Sequence, residues 1–243
     1  MTIRQRADRL LVERGLFDSR AKAQAAIEAG LVLADDTPVR KASEELAVDA
    51  RLQASAAHPY VSRGGLKLAA ALDHFGFDPK GRVCLDVGAS TGGFTQVLLE
   101  RGASRVYAID VGNGQLHKSL HARPEVISLE DTDIRKVSPA LLSEPPDLLT
   151  IDVSFISLKL VLPAAFALAE APAQLIALIK PQFEAGRAAL KRGIVRDAGV
   201  HATVCNEISA FIASLGWRVI GIMPSPITGA DGNAEFLIGA ARD

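Results

Sequence analysis

From residue 83 onward, short apolar runs alternate with longer segments in which apolar residues recur at helical spacing. The apolar runs fall at 83–87, 106–110, 126–128, 148–152, 175–179, 218–223 and 235–239. Short apolar runs of this kind are typical of buried strands, and helical segments between most of them favour parallel crossovers. Only 224–234 separates the last two strands, so these two are expected to be antiparallel. The pattern predicts an α/β fold with a Rossmann-like, doubly wound and mainly parallel sheet.

The first 58 residues have a different pattern. Helical spacing covers 7–14 and 20–29, and Ser19 and Gly30 are suited to cap the two ends of the second helix. Two short strands are expected around a polar turn at 34–38. A joint at 58–61 precedes an amphipathic helix, which we expect to have Ser62 as its N-cap and to end near Phe75. The sequence therefore predicts two domains, at 1–58 and 59–243.

The first predicted strand of the larger domain runs directly into a glycine-rich turn at 88–93. The P-loop pattern fits this turn except that Phe94 stands where the phosphate-binding lysine is required. The dinucleotide pattern fails because Ser90 replaces its second glycine, where a pyrophosphate needs bare backbone. Asp110, which ends the next strand, is placed to accept hydrogen bonds from ribose hydroxyls. Asp86 lies where a cationic amino-acid group could bind.

A nucleoside ligand without phosphates satisfies these observations, and S-adenosylmethionine is such a ligand. The alternative for the loop alone is a sharp strand-to-helix connection that binds nothing; Asp110 makes that alternative weaker. The larger domain is therefore a candidate methyltransferase. Its predicted cofactor contacts within the loop and the two strand ends are Asp86, Gly88, Ser90, Gly92, Gly93, Phe94 and Asp110.

Four charged residues lie at strand ends or near helix starts around the same predicted cleft: Lys67, Asp152, Lys180 and Glu235. Ligands of open α/β sheets bind beyond the carboxyl ends of the strands, where Asp152 and Lys180 end two parallel strands. Glu235 begins the last strand, and an antiparallel strand would start at that same edge. Taken singly, each residue could be no more than a solvated strand end. Together they predict a charged catalytic cluster.

Composition and charge narrow the function classes. The formal net charge of −1 means that any attraction to nucleic acid must be local. Cys84 and Cys205 lack metal-ligand spacing, and no metal site is expected. The first residues lack the apolar core of a signal peptide, and the most apolar stretch, 160–179, contains two prolines and a glutamate. We therefore expect a cytoplasmic protein with no membrane partner.

Basic residues concentrate on the N-terminal helical pair. A solvated helix surface would explain the charge alone. The spacing Arg6-x-Asp8-x-x-Leu11, Gly15, Ser19-Arg20-x-x-Ala23 and Ile27-x-x-Gly30-x-Val32, however, closely resembles the S4 RNA-binding domain over about residues 4–52. The resemblance implies a small α/β unit that binds folded RNA through shape and backbone charge. The candidate RNA-binding residues, including one at the domain joint, are Arg4, Arg6, Arg9, Arg20, Lys22 and Arg63.

The four charged residues resemble the Lys-Asp-Lys-Glu tetrad of ribose 2′-O-methyltransferases of the FtsJ/RrmJ type. The loop Asp86-x-Gly88-Ala89-x-x-Gly92-Gly93-Phe94-x-Gln96 resembles the cofactor loop of that family, with Phe94 in place of a tryptophan. With an S4-like domain in front, essentially the whole chain resembles the TlyA family. The resemblance implies 2′-O-methylation of cytidine in ribosomal RNA. It also implies cofactor contacts from Asp133, to the adenine amino group, and from Asp152.

The chemistry requires residues of these types. A ribose 2′-hydroxyl is a poor nucleophile, so a general base must take its proton as the methyl group transfers in line. Lys180 is the candidate base, Lys67 a stabiliser of developing oxyanion charge, and Asp152 and Glu235 orient the lysines. Two other hypotheses remain open: a membrane-acting protein, since some members of the family are labelled haemolysins, and an RNA-binding module with an inactive methyltransferase domain. The sequence does not indicate which ribosomal subunit is the substrate.

Overall fold

The computed structural model describes residues 3–186, 189–229 and 232–243, and the chain divides into two compact units, Met1–Pro59 and Tyr60–Asp243. Each unit encloses apolar clusters of its own. The predicted boundary after residue 58 stays a prediction. No helix in the described ranges is both long enough and apolar enough to cross a membrane.

The first unit packs two short helices against short antiparallel strands. Its elements are β1 (Arg4–Arg6), α1 (Ala7–Glu13), α2 (Arg20–Glu28), β2 (Val32–Ala34), β3 (Thr37–Pro38), β4 (Glu45–Ala47) and β5 (Leu52–Ala54). Strands β1 and β4 form one antiparallel pair, and β2 lies between β3 and β5. Ser19 caps α2 as expected, its Oγ accepting a hydrogen bond from the Lys22 N–H at 3.4 Å. Gly30 follows the helix with a φ of +72°.

The second unit alternates strands with helices. Its elements are α3 (Gly64–Phe75), β6 (Val83–Val87), α4 (Gly93–Glu100), β7 (Arg105–Ile109), α5 (Lys118–His121), β8 (Val126–Leu129), β9 (Leu148–Ile151), α6 (Leu158–Leu168), β10 (Ala173–Ile179), α7 (Pro181–Glu184), α8 (Ala198–Ser214), β11 (Arg218–Pro224) and β12 (Phe236–Arg242). Short 3-10 turns lie at Ile134–Lys136 and Pro139–Leu141.

In the described residues these strands form one seven-stranded sheet in the order β11-β12-β10-β9-β6-β7-β8. Strands β6 to β10 are parallel to their neighbours among themselves, whereas β12 is antiparallel to both β10 and β11. The predicted α/β class, the mainly parallel doubly wound sheet and the antiparallel final pair are confirmed.

Successive strand residues supply opposite faces of the sheet, because side chains alternate along a strand. Leu85 and Leu149 belong to a core with α6 and α8, while Cys84 and Leu148 belong to a second core with α3 and α4. Both faces are therefore covered, which explains why the strands read as continuous apolar runs.

One helix start differs from the prediction. The N-cap of α3 is Arg63, with no side-chain capping bond, rather than Ser62. Ser62 packs instead against the start of α4, where a Cβ on Gly93 would lie 2.2 Å from Ser62 Oγ. The hydroxyl is used for contact between two helix starts.

Candidate active site

Strand ends that carry charged residues meet at one edge of the sheet. In the antiparallel pair of β10 and β12, Ile179 lies opposite Phe236. Lys180, which follows Ile179, and Glu235, which precedes Phe236, therefore come next to this pair at the same edge of the sheet. In the parallel pair of β6 and β9, Val87 lies opposite Ile151, which brings Gly88 beside Asp152. This convergence follows from strand direction alone, because an antiparallel strand begins where its parallel neighbour ends.

The tetrad residues lie together as two ion pairs. Lys67 Nζ lies 2.5 Å from Glu235 Oε2, and Lys180 Nζ lies 2.5 Å from Asp152 Oδ1. The Lys180–Asp152 contact has ion-pair distance without hydrogen-bond geometry, and the Lys180 ammonium instead donates to Ser154 Oγ at 2.8 Å. Both lysines are only 8% exposed and Glu235 only 4%. Charges this buried require partners, and each lysine has a carboxylate.

Two adjoining cavities open at this edge. The tetrad cavity, about 350 Å³, is lined by the four tetrad residues together with Arg63, Phe94 and, from the glycine loop, residues 88–91 and Gly93. The nucleoside cavity, about 450 Å³, is lined by Asp110, Asp133, Ile134 and Val153 among others. Five residues line both cavities: Gly88, Ser90, Asp152, Ser154 and Phe155. A ligand with a nucleoside at one end and a reactive group at the other could occupy both.

The glycine loop closes tightly on its neighbours. Gly88 has a φ of +84°, and a Cβ there would lie 2.3 Å from the Asp152 carbonyl oxygen. A side chain would therefore force apart two strand ends that line both cavities. Ser90, with a φ of +47°, lines both cavities in a backbone conformation that non-glycine residues rarely adopt.

Asp110 joins the loop to the nucleoside cavity. Its Oδ2 accepts a hydrogen bond from the Ser90 N–H at 2.8 Å, and its Oδ1 accepts one from the Gly112 N–H at 2.7 Å. Each carboxylate oxygen can accept further bonds, so the side chain is held in a fixed orientation with acceptor capacity left for a ligand.

Asp133 lines the same cavity but already has a strong partner. The Arg135 guanidinium donates to both of its carboxylate oxygens, and the Arg135 N–H donates to Oδ1 at 3.0 Å. The Arg135 side-chain hydrogen bond holds the pKa of Asp133 down at about 2. The carboxylate is therefore charged, and a ligand amino group would share it with Arg135.

Comparison with known proteins decides the family. Residues 60–242 match the FtsJ-like methyltransferase family, and residues 5–52 match the S4 domain. The chain belongs to the FtsJ-like methyltransferases.

Relatives extend the match over the whole chain. "Putative rRNA methyltransferase YqxC" of Bacillus subtilis is 46% identical over 97% of this chain and 85% of that protein. "16S/23S rRNA (cytidine-2'-O)-methyltransferase TlyA" of Mycobacterium tuberculosis is 42% identical over 98% of this chain and 90% of its own. A solved structure, "Putative hemolysin from Streptococcus thermophilus", is 40% identical with a TM-score of 0.80 and covers all of this chain and 90% of that one. The predicted TlyA-family membership is confirmed.

Membership of the FtsJ-like methyltransferases confirms S-adenosylmethionine as the cofactor predicted from the sequence. The residues present fit it: Gly88 lines both cavities without a side chain, and Asp110 and Asp133 present carboxylates in the nucleoside cavity. Within the described ranges, no cluster of three or more His, Cys, Asp or Glu side chains could hold a metal ion.

Two predicted cofactor contacts of this FtsJ-like methyltransferase lie away from both cavities. Asp86 is fully buried, where its carboxylate accepts hydrogen bonds from Thr95 Oγ1 at 2.7 Å and Thr150 Oγ1 at 3.1 Å. Burial raises the pKa of Asp86 to about 7. Asp86 was expected to face a cationic group of the ligand, but its carboxylate is instead enclosed by two threonine hydroxyls.

Gly92 is the other. A Cβ there would lie 2.2 Å from Leu120 Cδ1 and 2.8 Å from Leu116 Cδ1. Gly92 therefore lets the start of α4 pack against these two leucines, whereas Gly93 and Phe94 line the tetrad cavity.

The structure adds two residues that sequence reasoning missed. Ser154 holds the Lys180 ammonium, and Phe155 lines both cavities although its side chain is 90% exposed. The Phe155 ring centroid lies 5.0 Å from that of Phe183, and the Phe155 backbone has a φ of +64°. In the sequence, these two residues are marked only by their position, since they come two and three residues after Asp152 at the end of a strand.

In the S4 unit, some predicted RNA-binding residues have structural partners. Asp8 is fully buried and accepts hydrogen bonds from the side chains of Arg6, Arg20 and Gln24. The hydrogen bond from Arg6 is the main cause that lowers the pKa of Asp8. Arg6 and Arg20 therefore stabilise this unit in addition to any contact with RNA.

The remaining predicted RNA contacts differ in their surroundings. Lys22 pairs with Asp18 at 3.3 Å, and Arg4 donates to the Glu45 carbonyl at 2.5 Å. Arg9 is exposed on α1. Arg63 belongs to the second unit, where it lines the tetrad cavity.

Proposed function

We propose that this chain methylates the 2′-hydroxyl of a cytidine in ribosomal RNA, with S-adenosylmethionine as the methyl donor. The observation that carries the proposal is the pair of buried lysine–carboxylate contacts, Lys67–Glu235 and Lys180–Asp152, in a cavity that adjoins the nucleoside cavity. The M. tuberculosis relative is named for methylation of cytidine in ribosomal RNA, which supports the same substrate here. Because the proposed substrate is ribosomal RNA, we infer that the enzyme acts in the cytoplasm.

S-adenosylmethionine, held by the residues of the nucleoside cavity such as Asp110, would supply a methyl group activated by a sulfonium for transfer to the ribose 2′-oxygen. To act as the base, Lys180 must first release one proton from the ammonium that contacts Ser154 and Asp152; its Nζ then takes the 2′-hydroxyl proton, and these two neighbours fix the position of that atom. Lys67 stabilises negative charge that develops on the 2′-oxygen, and Glu235 orients Lys67.

The exposed aromatic pair at the cavity mouth supports a nucleotide substrate. Phe155 is 90% exposed and lines the tetrad cavity with Asp152, and its ring centroid lies 5.0 Å from that of Phe183 at an interplanar angle of 50°. Base–aromatic stacking is worth about 1–3 kcal/mol for each base. We infer that Phe155 stacks on a base of the substrate while its ribose enters the tetrad cavity.

The S4 unit supports RNA as the class of substrate. Its exposed basic residues, such as Arg9, can contact backbone phosphates, which hold RNA without reading its sequence.

The experiment is methyl incorporation from labelled S-adenosylmethionine into purified small and large ribosomal subunits, followed by alkaline hydrolysis of the labelled RNA. We expect label in at least one subunit, in a cytidine whose 3′ phosphodiester resists alkali because its 2′-hydroxyl is blocked. Label in an alkali-labile product would mean methylation elsewhere than on the ribose. Absence of label with folded, cofactor-binding protein would favour an RNA-binding module without activity or the haemolysin hypothesis.

A further inference from the structure

A tight turn before α8 presents two basic side chains. Lys191 and Ile194 pair as an isolated bridge, with the Lys191 N–H donating to the Ile194 carbonyl at 3.0 Å and the reverse bond at 3.2 Å. Arg192 and Gly193 form the tip, with φ of +55° and +80°. Lys191 and Arg192 are both exposed. We call residues 191–194 the basic turn.

A buried asparagine fixes the basic turn to the loop that leads into the tetrad. The Asn233 amide donates to the Gly193 carbonyl at 3.3 Å, and the Val195 N–H donates to Asn233 Oδ1 at 3.4 Å. Asn233 is 4% exposed and precedes Glu235 by two residues. Two residues of extended chain span at most about 7 Å. The turn is therefore anchored close beside the tetrad cavity.

The charges of the basic turn are available to an outside partner. Within the described ranges, neither Lys191 nor Arg192 forms an ion pair, whereas other exposed arginines of this unit do, such as Arg101 with Asp73 and Arg123 with Glu125. An anion can bind the basic turn without breaking an existing pair. Arg63 adds a third cation in the wall of the tetrad cavity itself.

We propose that the basic turn, together with Arg63, binds the phosphodiester groups that flank the target nucleotide. The proposal rests on the proposed function, because it takes RNA as the substrate. A ribose whose 2′-oxygen reaches Lys180 brings its own 5′ and 3′ phosphates to the rim of the tetrad cavity. Phosphate contacts fix the register of a strand without reading its bases. The basic turn would thus help to hold the strand at the rim of the tetrad cavity.

The test compares two full-length double variants that lose the same charge. Lys191→Gln/Arg192→Gln removes the basic turn's cations. Lys80→Gln/Arg218→Gln removes two exposed cations that lie before β6 and at the start of β11, at the opposite edge of the sheet. For each, affinity for an RNA oligonucleotide containing the methylated cytidine, and for a scrambled one of equal length, is measured over a range of salt concentrations. Steady-state kinetics on ribosomal subunits and calorimetric S-adenosylmethionine affinity complete the comparison.

We expect the basic-turn variant to show a salt slope shallower by about 1 to 2, since each phosphate contact contributes about 0.7–0.9. Affinity should fall equally for both oligonucleotides, KM for RNA should rise, and kcat and cofactor affinity should stay near wild type. The control variant should behave as wild type. An unchanged slope in the basic-turn variant, or an equal change in the control, would overturn the proposal while leaving methylation by the wild type intact. If the wild type neither binds nor methylates RNA, the proposed function fails as well.

Discussion

Lys67 and Glu235, 168 residues apart in the chain, form a buried ion pair with Nζ and Oε2 2.5 Å apart. Lys180 does not share this carboxylate; its ammonium contacts Asp152 and Ser154. The tetrad thus consists of two lysine–carboxylate pairs, and each lysine has its own neighbours. This division gives the two lysines different expected responses to substitution.

Lys180→Arg should abolish nearly all methyl transfer while S-adenosylmethionine binding stays about normal. A guanidinium remains protonated at any accessible pH and cannot act as a base. Lys67→Arg should retain more activity, because its proposed role needs only positive charge. Single-turnover methylation and calorimetric cofactor titration of both variants check this. Substantial turnover by Lys180→Arg would remove Lys180 as the base.

Gly229→Ala should displace Glu235 from Lys67. A Cβ at Gly229 would lie 2.1 Å from Glu235 Oε1 and 2.6 Å from Cδ, and the carboxylate is too enclosed to move without loosening the ion pair. We expect kcat to fall by up to roughly 100-fold, as misplacement near a reaction centre can cause, with cofactor affinity retained.

Gly221→Ala is the matched control for this substitution, because its Cβ would meet only Phe75 Cε1, at 3.8 Å. The effect of Gly229→Ala should vanish when Glu235→Ala is already present, since no carboxylate is left to displace. Additive losses in that double variant would show that Gly229 acts by another route.

Asp110→Ala should weaken S-adenosylmethionine binding by about 1.5–3 kcal/mol, the range for a hydrogen bond to a charged group. The substitution also frees the Ser90 and Gly112 N–H groups that Asp110 now binds. Calorimetric titration measures the change, and thermal unfolding verifies that the variant is folded. Asp73→Ala, which removes an exposed carboxylate that pairs with Arg101, should bind the cofactor as wild type does. Unchanged affinity in folded Asp110→Ala would contradict the assignment.

Asp86 should make the stability of the protein fall as pH rises. Burial raises its pKa from 3.8 to about 7, so between these values the native state holds a proton that the unfolded chain has lost. The free energy of unfolding therefore decreases across that interval, by at most about 4 kcal/mol for this shift. Asp86→Asn removes the effect and should gain stability relative to wild type between about pH 5 and about pH 8. Urea unfolding of wild type and Asp86→Asn at about pH 5 and about pH 8 measures this change in the free energy of unfolding. The control Asp73→Asn should leave the wild-type pH dependence unchanged. If Asp86→Asn differs from wild type by the same free energy of unfolding at both pH values, the expectation is wrong.

Arg9 and Arg20 should separate RNA binding from stability in the S4 unit. Arg20→Gln removes a hydrogen-bond donor from buried Asp8 and should cost about 1 kcal/mol or more of unfolding free energy, discounted because Arg20 is half exposed. Arg9→Gln should leave stability within about 0.5 kcal/mol and weaken RNA binding. Urea unfolding and RNA titration at fixed salt distinguish the two. If Arg9→Gln binds RNA as wild type does, α1 does not contact the substrate through this residue.

In the second unit, the sequence by itself determined which segments form the seven strands, the mainly parallel sheet and the edge at which charged residues gather; in the first unit it missed β1, β4 and β5. These properties follow from local periodicity and from strand direction, and both can be read without knowing which side chains touch. That is why the start of β12 beside the end of β10 could be anticipated, and with it the proximity of Glu235 to Lys180.

Only the tertiary structure decided how those residues use their neighbours. It paired Lys67 with Glu235, enclosed Asp86 between two threonines, packed Gly92 against leucines and tied Arg20 to a buried aspartate. In each case the partner comes from another element, and burial determines whether a polar group faces a ligand or the protein interior. A one-dimensional pattern specifies where a side chain leaves the backbone, whereas its partner is set by packing between elements distant in sequence.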